Sequence, residues 1–239
     1  MITVFPFFRT PVRNDRQLCG CQSVTFAISA MDAPLARLSI RVTVAALVGR
    51  FLITGFAIGG GMSGPRSDTT MESLAKMRPV FRKDGTVTAA NASGINDGAA
   101  AVVLATGAQL KQRGLEPLAR IVTWAHAGVE PEYMGEGPIK AVPLALERAG
   151  LSLDQMDVIE SNEAFAAQAA ACAKVLGFDP QKVNPNGSGI SLGHPVGATG
   201  CVLTIKAAYE LQRIGGKYAL ITMCIGGGQG IAMIIENCE

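Results

Sequence analysis

The feature that most constrains the fold is the order of apolar segments in the last third of the chain. Strand-like runs alternate there with segments of helical period, which is clear at Phe165, Ala169, Cys172 and Leu176. The predicted order is strand Met156–Glu160, helix 165–176, glycine-rich loop Asn184–Gly200, helix 201–214, strand Tyr218–Cys224 and strand Gly230–Glu236. Strands joined by a short turn are antiparallel, and strands separated by a helix are parallel. The sequence therefore predicts an α/β fold with a mixed sheet flanked by helices.

Weaker signals extend this pattern toward the N-terminus. Asp68–Glu72 has the composition of a helix start, with Thr69 or Thr70 able to cap. Gly98–Leu104 suits a buried strand, and Leu118–Val129 a strand that leads into a loop. Pro138–Leu146 has a helical period and stops at Gly150.

Residues 1–64 differ in composition from the rest of the chain. They hold six arginines, no lysine and two acids. The apolar run from Val42 to Met62 is interrupted by Arg50 and several glycines, so it is a weak candidate for a membrane helix. An Arg-rich, acid-poor start is also typical of a transit peptide. We favour an aberrant segment, such as the product of a shifted reading frame or a misplaced gene start.

Charge and cysteine usage exclude several functions. A net charge of +2 with 17% charged residues leaves no basic stripe for nucleic acid. The six cysteines are scattered, which favours reduced thiols in a cytosolic or organellar interior over a disulfide framework. Of these compartments, we expect a cytoplasmic location. A metal site built on His126 and His194 is disfavoured, because no thiol or acidic ligands cluster around them.

Three short motifs in the last third could carry chemistry. Asn162 begins the sequence Asn-Glu-Ala-Phe at a strand-to-helix junction, where it could simply cap the helix. His194 lies between Gly193 and Pro195 before a helix, where an imidazole can donate to a developing oxyanion or be a loop residue without a role. Cys224 ends a strand and opens onto three glycines whose bare amides could bind an oxyanion. These glycines lack the P-loop lysine, and a strand follows them, which argues against a phosphate site.

Taken in order, the three motifs resemble the C-terminal part of the thiolases (acetyl-CoA acetyltransferases, or 3-ketoacyl-CoA thiolases). The resemblance runs from about Pro65 to Ile235 and includes Lys83–Ala101 and Met134–Pro138. Ketoacyl synthases share the fold but have a second histidine where this chain has Asn162. The resemblance implies a thiolase-like α/β fold divided into an atypical segment (1–64), a remnant of the N-terminal and loop region (65–115) and the C-terminal domain (116–239).

The resemblance also implies a reaction and a role for each motif. Thiolases join two acetyl-CoA molecules into acetoacetyl-CoA, or run the reverse thiolysis, through an acyl group carried on a cysteine. Cys224 would take the α-proton, His194 would activate the nucleophile and donate to the thioester oxygen, and Asn162 would hold a water beside it. The amide of Gly226 would bind the acyl-enzyme oxygen. The residues implied near coenzyme A or the acyl group are Phe81, Ala89, Ser93, Met134, Ala164 and Phe165.

The chain departs from the family in its N-terminal part. No segment in residues 1–64 reproduces the Cys-Ser/Ala-Ser-Gly motif of the acyl-carrying cysteine, and Cys19-Gly-Cys21 lacks the glycine of its sharp turn. We therefore expect a chain that is inactive in isolation, with acyl-CoA as substrate, no cofactor or metal, and a dimer or tetramer in the full-length family. The alternative is a non-catalytic thiolase-like protein that binds acyl-CoA or pairs with an intact subunit.

Overall fold

A computed structural model describes residues 2–5 and 69–238. The expectations for the other residues, including the candidate membrane helix and the Cys19-Gly-Cys21 segment, lie outside the described residues. Six strands form one mixed sheet, in the order β2-β1-β3-β6-β5-β4. The strands are β1 (Ile2–Phe5), β2 (Val103–Thr106), β3 (Ala119–Gly128), β4 (Val158–Ser161), β5 (Tyr218–Ile225) and β6 (Gln229–Asn237).

Six α-helices accompany the sheet within the described ranges. They are α1 (Met71–Ala75), α2 (Gly107–Arg113), α3 (Gly137–Ala149), α4 (Ala166–Leu176), α5 (Gly189–Leu192) and α6 (Thr199–Ile214). Two 3-10 turns, Pro131–Glu136 and Leu153–Gln155, precede α3 and β4. The helices end where the sequence predicts, since Gly150 and Gly215 take left-handed conformations at the C-terminal ends of α3 and α6.

The predicted strand directions are confirmed. β5 and β6 pair antiparallel through a short glycine turn, whereas β4 pairs parallel with β5. The strand predicted at 98–104 is displaced, because β2 begins only at Val103 and Gly98 packs instead against Pro195. The helix predicted near residue 70 is confirmed, with Thr70 as its cap. Residues 2–5, for which no strand was predicted, pair with β2 and β3.

The core lies on both faces of the sheet. On one face, α6 packs against β5 and β6 through Leu203, Leu211 and Ile221. On the other face, α3 packs through Val142 against Leu220 and Ile234. Successive residues of β5 and β6 enter opposite clusters because side chains alternate across a strand. The sheet is therefore the middle of three layers.

Candidate active site

The site is built at the edge of the sheet where β4 and β5 end. These parallel strands run to the same edge, with Ser161 beside Thr222. The backbone N–H of Asn162 donates to the carbonyl of Thr222 at 3.0 Å. Cys224 follows two residues later, opposite Gly230 of β6. The strand register alone therefore brings the Asn162 and Cys224 motifs to one end of the sheet.

The side chain of Asn162 contacts His194. Asn162 is 1% exposed, and its Nδ2 lies 3.3 Å from the imidazole Nε2 of His194. The helix-cap interpretation of Asn162 is wrong, because α4 begins at Ala166 with Phe165 in the cap position and no side-chain cap bond. The cap position lies three residues after Asn162, so Asn162 belongs to the strand-to-helix junction, where its amide contacts the histidine.

The other ring nitrogen of His194 contacts Thr199, the first residue of α6. Nδ1 lies 2.7 Å from the Thr199 hydroxyl, and that hydroxyl donates to the carbonyl of Pro195 at 2.9 Å. Partial burial lowers the pKa of His194 below its ordinary value. Burial therefore favours the neutral ring, which is held from both sides, by Asn162 and by Thr199.

Residues 91–98, which we call the clamp segment, hold the Asn162 loop from outside. The N–H of Ser93 donates to the carbonyl of Ala164 at 2.9 Å, and the N–H of Ala166 donates to the carbonyl of Asn91 at 2.8 Å. Ala92 and Phe165 form an antiparallel bridge between these bonds. A short two-stranded contact thus fixes the backbone that follows Asn162.

The same clamp segment also holds the His194 loop. The N–H of His194 donates to the carbonyl of Gly94 at 3.1 Å and to Oδ1 of Asn96 at 3.2 Å. Gly193 has φ +100, and a Cβ there would lie 2.5 Å from Asn96 Oδ1. The left-handed backbone and the close approach both require glycine at this position. The clamp segment therefore joins two motifs that lie 32 residues apart in sequence.

Cys224 is buried in the β5–β6 hairpin. The residue is 6% exposed, and burial raises the pKa of its thiol. The hairpin turn uses positive φ values of +85 at Gly227 and Gly228, which favour glycine. Gly226 is exposed in this turn, and a Cβ added there would meet nothing within 4 Å. Gly226 is therefore at an open surface, two residues after the thiol.

The residues predicted near coenzyme A fall into two groups. Ser93, Ala164 and Phe165 are joined by the clamp segment, and the ring of Phe81 meets that of Phe165 edge-on with centroids 6.0 Å apart. Ala89 is exposed on the chain that leads into the clamp segment. Met134 stands apart from them, half-buried in the turn Pro131–Glu136.

A second buried thiol, Cys172 of α4, lies close enough to Cys224 for their charges to interact. Its Sγ donates to the carbonyl of Gly135 at 3.3 Å and accepts from Nε2 of Gln168 at 3.5 Å. Burial raises the pKa of the Cys172 thiol, and the nearby Cys224 raises it further. The sequence pattern assigned Cys172 only to the apolar face of its helix, which its burial confirms.

A buried ion pair supports the strand that precedes Asn162. Glu160 of β4 is fully buried and accepts from Nζ of Lys206 of α6 at 2.6 Å. Lys206 Nζ also donates to the carbonyl of Gly187. Burial raises the pKa of Glu160, and Lys206 opposes that shift. The pair ties β4, α6 and the loop before His194 together.

An apolar groove of about 290 Å³ lies on the α6 face of the sheet. Its lining includes Trp124, Ile231 and Met233 from the strands, and Gly200 and Cys201 from α6. Trp124 is 55% exposed. Asn162, His194 and Cys224 do not line the groove, so it is a separate surface beside the site.

The structure can also be examined for a metal site and for a membrane-spanning helix. Within residues 2–5 and 69–238, no three His, Cys, Asp or Glu side chains come together as a metal site. His126 is exposed on β3 opposite Ile231, away from the His194 contacts. In the same part of the chain, no helix combines the length and apolar character that crossing a membrane requires.

Sequence reasoning missed two residues that hold the site. Asn96 lies 98 residues before the histidine it contacts, and no local period indicates that contact. Thr199 follows His194 by five residues, at the first position of α6 and two residues before the predicted start of that helix. A threonine five residues after a histidine, at the start of a helix, is the local signal that could have identified Thr199.

Two family models match most of the described chain. Residues 115–237 match the family model "Thiolase, C-terminal domain", and residues 62–108 match "Thiolase, N-terminal domain". Beta-ketothiolase BktB of Cupriavidus necator is 64% identical over 173 residues, which cover 72% of this chain and 44% of that protein. The acetyl-CoA acetyltransferase of Shinella zoogloeoides is 54% identical over 172 residues, with the same coverage.

A solved structure shows the same fold. The crystal structure of human mitochondrial 3-ketoacyl-CoA thiolase in complex with CoA aligns with a TM-score of 0.73 and 51% identity, and the alignment covers 74% of this chain and 45% of that one. The chain therefore spans less than half the length of the relatives that it matches.

Proposed function

Because this chain belongs to the thiolase family, we propose that it supplies the C-terminal part of an acetyl-CoA C-acetyltransferase site. The reaction would be the condensation of two acetyl-CoA molecules to acetoacetyl-CoA, or the reverse thiolysis. The proposal rests on the contact between Asn162 and His194. Asn162 lies at the end of the sheet where β4 and β5 terminate, and Cys224 lies near the end of β5. The acyl-carrying cysteine would come from a complementary N-terminal domain.

His194 and Asn162 would act on the thioester oxygen. A neutral imidazole can take the proton of the nucleophilic thiol and then donate it in a hydrogen bond to the oxygen as enolate charge develops. The buried Oδ1 of Asn162 accepts no hydrogen bond from the described residues. It can therefore accept one from a water whose second hydrogen points at the same oxygen.

Cys224 would move the proton at the α-carbon. Burial raises the pKa of its thiol, which makes its thiolate the stronger base once formed. In condensation, Cys224 would first give its proton to the coenzyme A thiolate that leaves when the acyl-enzyme forms, and its thiolate would then take the α-proton, leaving the C–H electron pair as the enolate. The enolate carbon would attack the acyl thioester on the partner cysteine, and the C–S bond would break to release that cysteine as a thiolate. Gly226 is exposed, and its amide would bind the oxygen of that acyl-enzyme.

The substrate would be an acyl-CoA held near the clamp segment. Ser93 belongs to that segment, and Ala164 and Phe165 bond to it. Phe81 packs on Phe165, Ala89 precedes the segment, and Met134 would line the acyl pocket from the turn before α3. One relative is described in complex with CoA, which supports this substrate class. We propose no cofactor beyond the CoA substrates.

Assembly is part of the proposal. We propose that the chain divides into segments 1–64, 65–115 and 116–239. We also propose that the apolar groove around Trp124 packs against the complementary domain in a dimer or tetramer. A cytoplasmic location is proposed from the scattered cysteines, although relatives include proteins named mitochondrial and cytosolic. The exposed groove also favours the second candidate, a non-catalytic chain that pairs with an intact thiolase subunit.

Thiolysis of acetoacetyl-CoA by coenzyme A tests the proposal. We expect no measurable thiolysis from the chain alone, because loss of a covalent nucleophile removes many orders of magnitude in rate. Co-expression with the N-terminal part of the Shinella zoogloeoides enzyme should restore turnover. Cys224→Ala should abolish that turnover, while Cys238→Ser, at an exposed position, should leave it unchanged.

Three outcomes separate the candidates. Thiolysis by the isolated chain at the rate of an intact relative would overturn the claim that the nucleophile is absent. Restored turnover that survives Cys224→Ala would overturn the role of Cys224. Co-purification with an intact thiolase subunit without any gain of turnover would favour the non-catalytic candidate.

A further inference from the structure

Thr199 is a buried hydroxyl to which the reaction scheme assigns no role. It is 3% exposed at the first position of α6 and lies 2.7 Å from Nδ1 of His194. The contact is at the short end of the range for a nitrogen–oxygen hydrogen bond, and it is made by the ring nitrogen that does not face Asn162. A threonine at this position therefore touches the proposed base without reaching the reacting atoms.

The second contact of Thr199 fixes the direction of the first. Its Oγ1 lies 2.9 Å from the carbonyl oxygen of Pro195, which can only accept. A hydroxyl has a single hydrogen, and bonding it to the carbonyl four residues earlier is a common arrangement for threonine in a helix. The hydrogen of Thr199 is then engaged with Pro195, so its lone pair must face Nδ1. The ring nitrogen is consequently the donor.

This direction sets the tautomer of His194. A neutral imidazole carries one N–H, and that hydrogen is on Nδ1 when Nδ1 donates. Nε2 then carries the lone pair, which is compatible with the Nδ2 donor of Asn162 at 3.3 Å. The two neighbours of the ring, a hydroxyl acceptor and an amide donor, thus favour the same tautomer.

We propose that Thr199 is a positioning residue that holds His194 with the hydrogen on Nδ1 and the lone pair on Nε2. A base that takes a thiol proton through Nε2 must present that nitrogen unprotonated, and the hydroxyl of Thr199 maintains this form. The consequence for acyl transfer rests on the proposed function, whereas the tautomer is a property of the isolated chain.

The test is the 15N spectrum of the ring in the full chain labelled with 15N-histidine. The chain has two histidines, so His126→Gln assigns the signals of His194. At a pH where the ring is neutral, we expect the Nδ1–H tautomer in the wild type and in Thr199→Ser. Thr199→Val, which keeps the shape and removes the acceptor, should lower the ratio of Nδ1–H to Nε2–H by about tenfold.

Each outcome decides the proposal. If His194 in the wild-type chain is mainly the Nε2–H tautomer, the proposal is wrong. This measurement needs no variant that could fail to fold. An unchanged tautomer ratio in a folded Thr199→Val, or a shift in Thr199→Ser as large as in Thr199→Val, also overturns it. Because the spectrum requires no turnover, a failure of acyl transfer in the complemented enzyme would leave this result standing.

Discussion

Residues 115–237 and residues 69–102 are held in place by different interactions. The first region contributes both apolar clusters and nearly all fully buried side chains, including Met156, Leu211 and Leu220. In the second region, Val102 is the one buried residue, and α1 buries none. Yet the clamp segment in this second region fixes the loops of Asn162 and His194. Stability and site geometry therefore depend on separate parts of the chain, and substitutions should separate them.

The largest expected effect is in the first region. Lys206→Met leaves the carboxylate of Glu160 buried without its cation, which should lower the free energy of unfolding by about 3–5 kcal/mol. Lys174→Met, at an exposed position of α4, is the control and should change it by less than about 0.5 kcal/mol. Urea unfolding followed by circular dichroism measures both. Equal effects would mean that the buried pair adds nothing to the core region.

The next effect comes from the contact between the two regions. A Cβ at Gly98 would lie 2.8 Å from Cβ of Pro195, so Gly98→Ala must displace the loop of His194. We expect a loss of about 1–3 kcal/mol by the same unfolding assay. A Cβ at Gly128 would approach only the carbonyl of Gly228, at 4.0 Å, and Gly128→Ala should be nearly neutral. A neutral Gly98→Ala would show that the clamp segment is not packed on the loop.

A smaller effect is expected for a single bond of the clamp segment. Asn96→Ala removes one of the two acceptors of the His194 N–H, and the carbonyl of Gly94 remains. The free energy of unfolding should fall by about 0.5–1.5 kcal/mol. Asp97→Ala, at the exposed neighbouring position, is the matched control. A loss as large as that of Lys206→Met would contradict the division between site and core.

The smallest effect is a pH dependence. Burial lowers the pKa of His194, so the unfolded chain binds more protons between the two pKa values and stability falls as the ring charges. The contribution of the neutral His194 ring to the free energy of unfolding is complete above its unfolded-state pKa of about 6.5. It is lost as the pH falls through the lower pKa of the folded state. His194→Gln should remove this part of the dependence, at most about 1.4 kcal/mol per pH unit. His126→Gln, which leaves His194 in place, should retain it, and identical profiles for wild type and His194→Gln would contradict the assignment.

The sequence predicted the first region better than the second, for a physical reason. Strand and helix periods from Leu118 to Glu236 report burial against a local core, and the structure follows them closely. The clamp segment buries little, so periodicity carries no information about it. Its bonds from Ser93 to Ala164 and from Asn96 to His194 join residues about 70 and 98 positions apart.

The site was predictable only in part. The Asn162, His194 and Cys224 motifs stood out because glycine, proline and strand ends constrain them locally. That Asn162 reaches His194 instead of capping α4 follows from the strand register at Thr222 and from the clamp segment. Both are tertiary features, which a local cap preference cannot indicate.

Native-state hydrogen exchange tests the central comparison most directly. We expect the amides of Ser93, Ala166 and His194, which bridge the clamp segment and the two loops, to exchange through a shared local opening. Its free energy should lie well below that of the β5 amides, and Gly98→Ala, which strains the native state itself, should lower both. Exchange of all these amides at the β5 free energy would show a single cooperative unit and contradict the account.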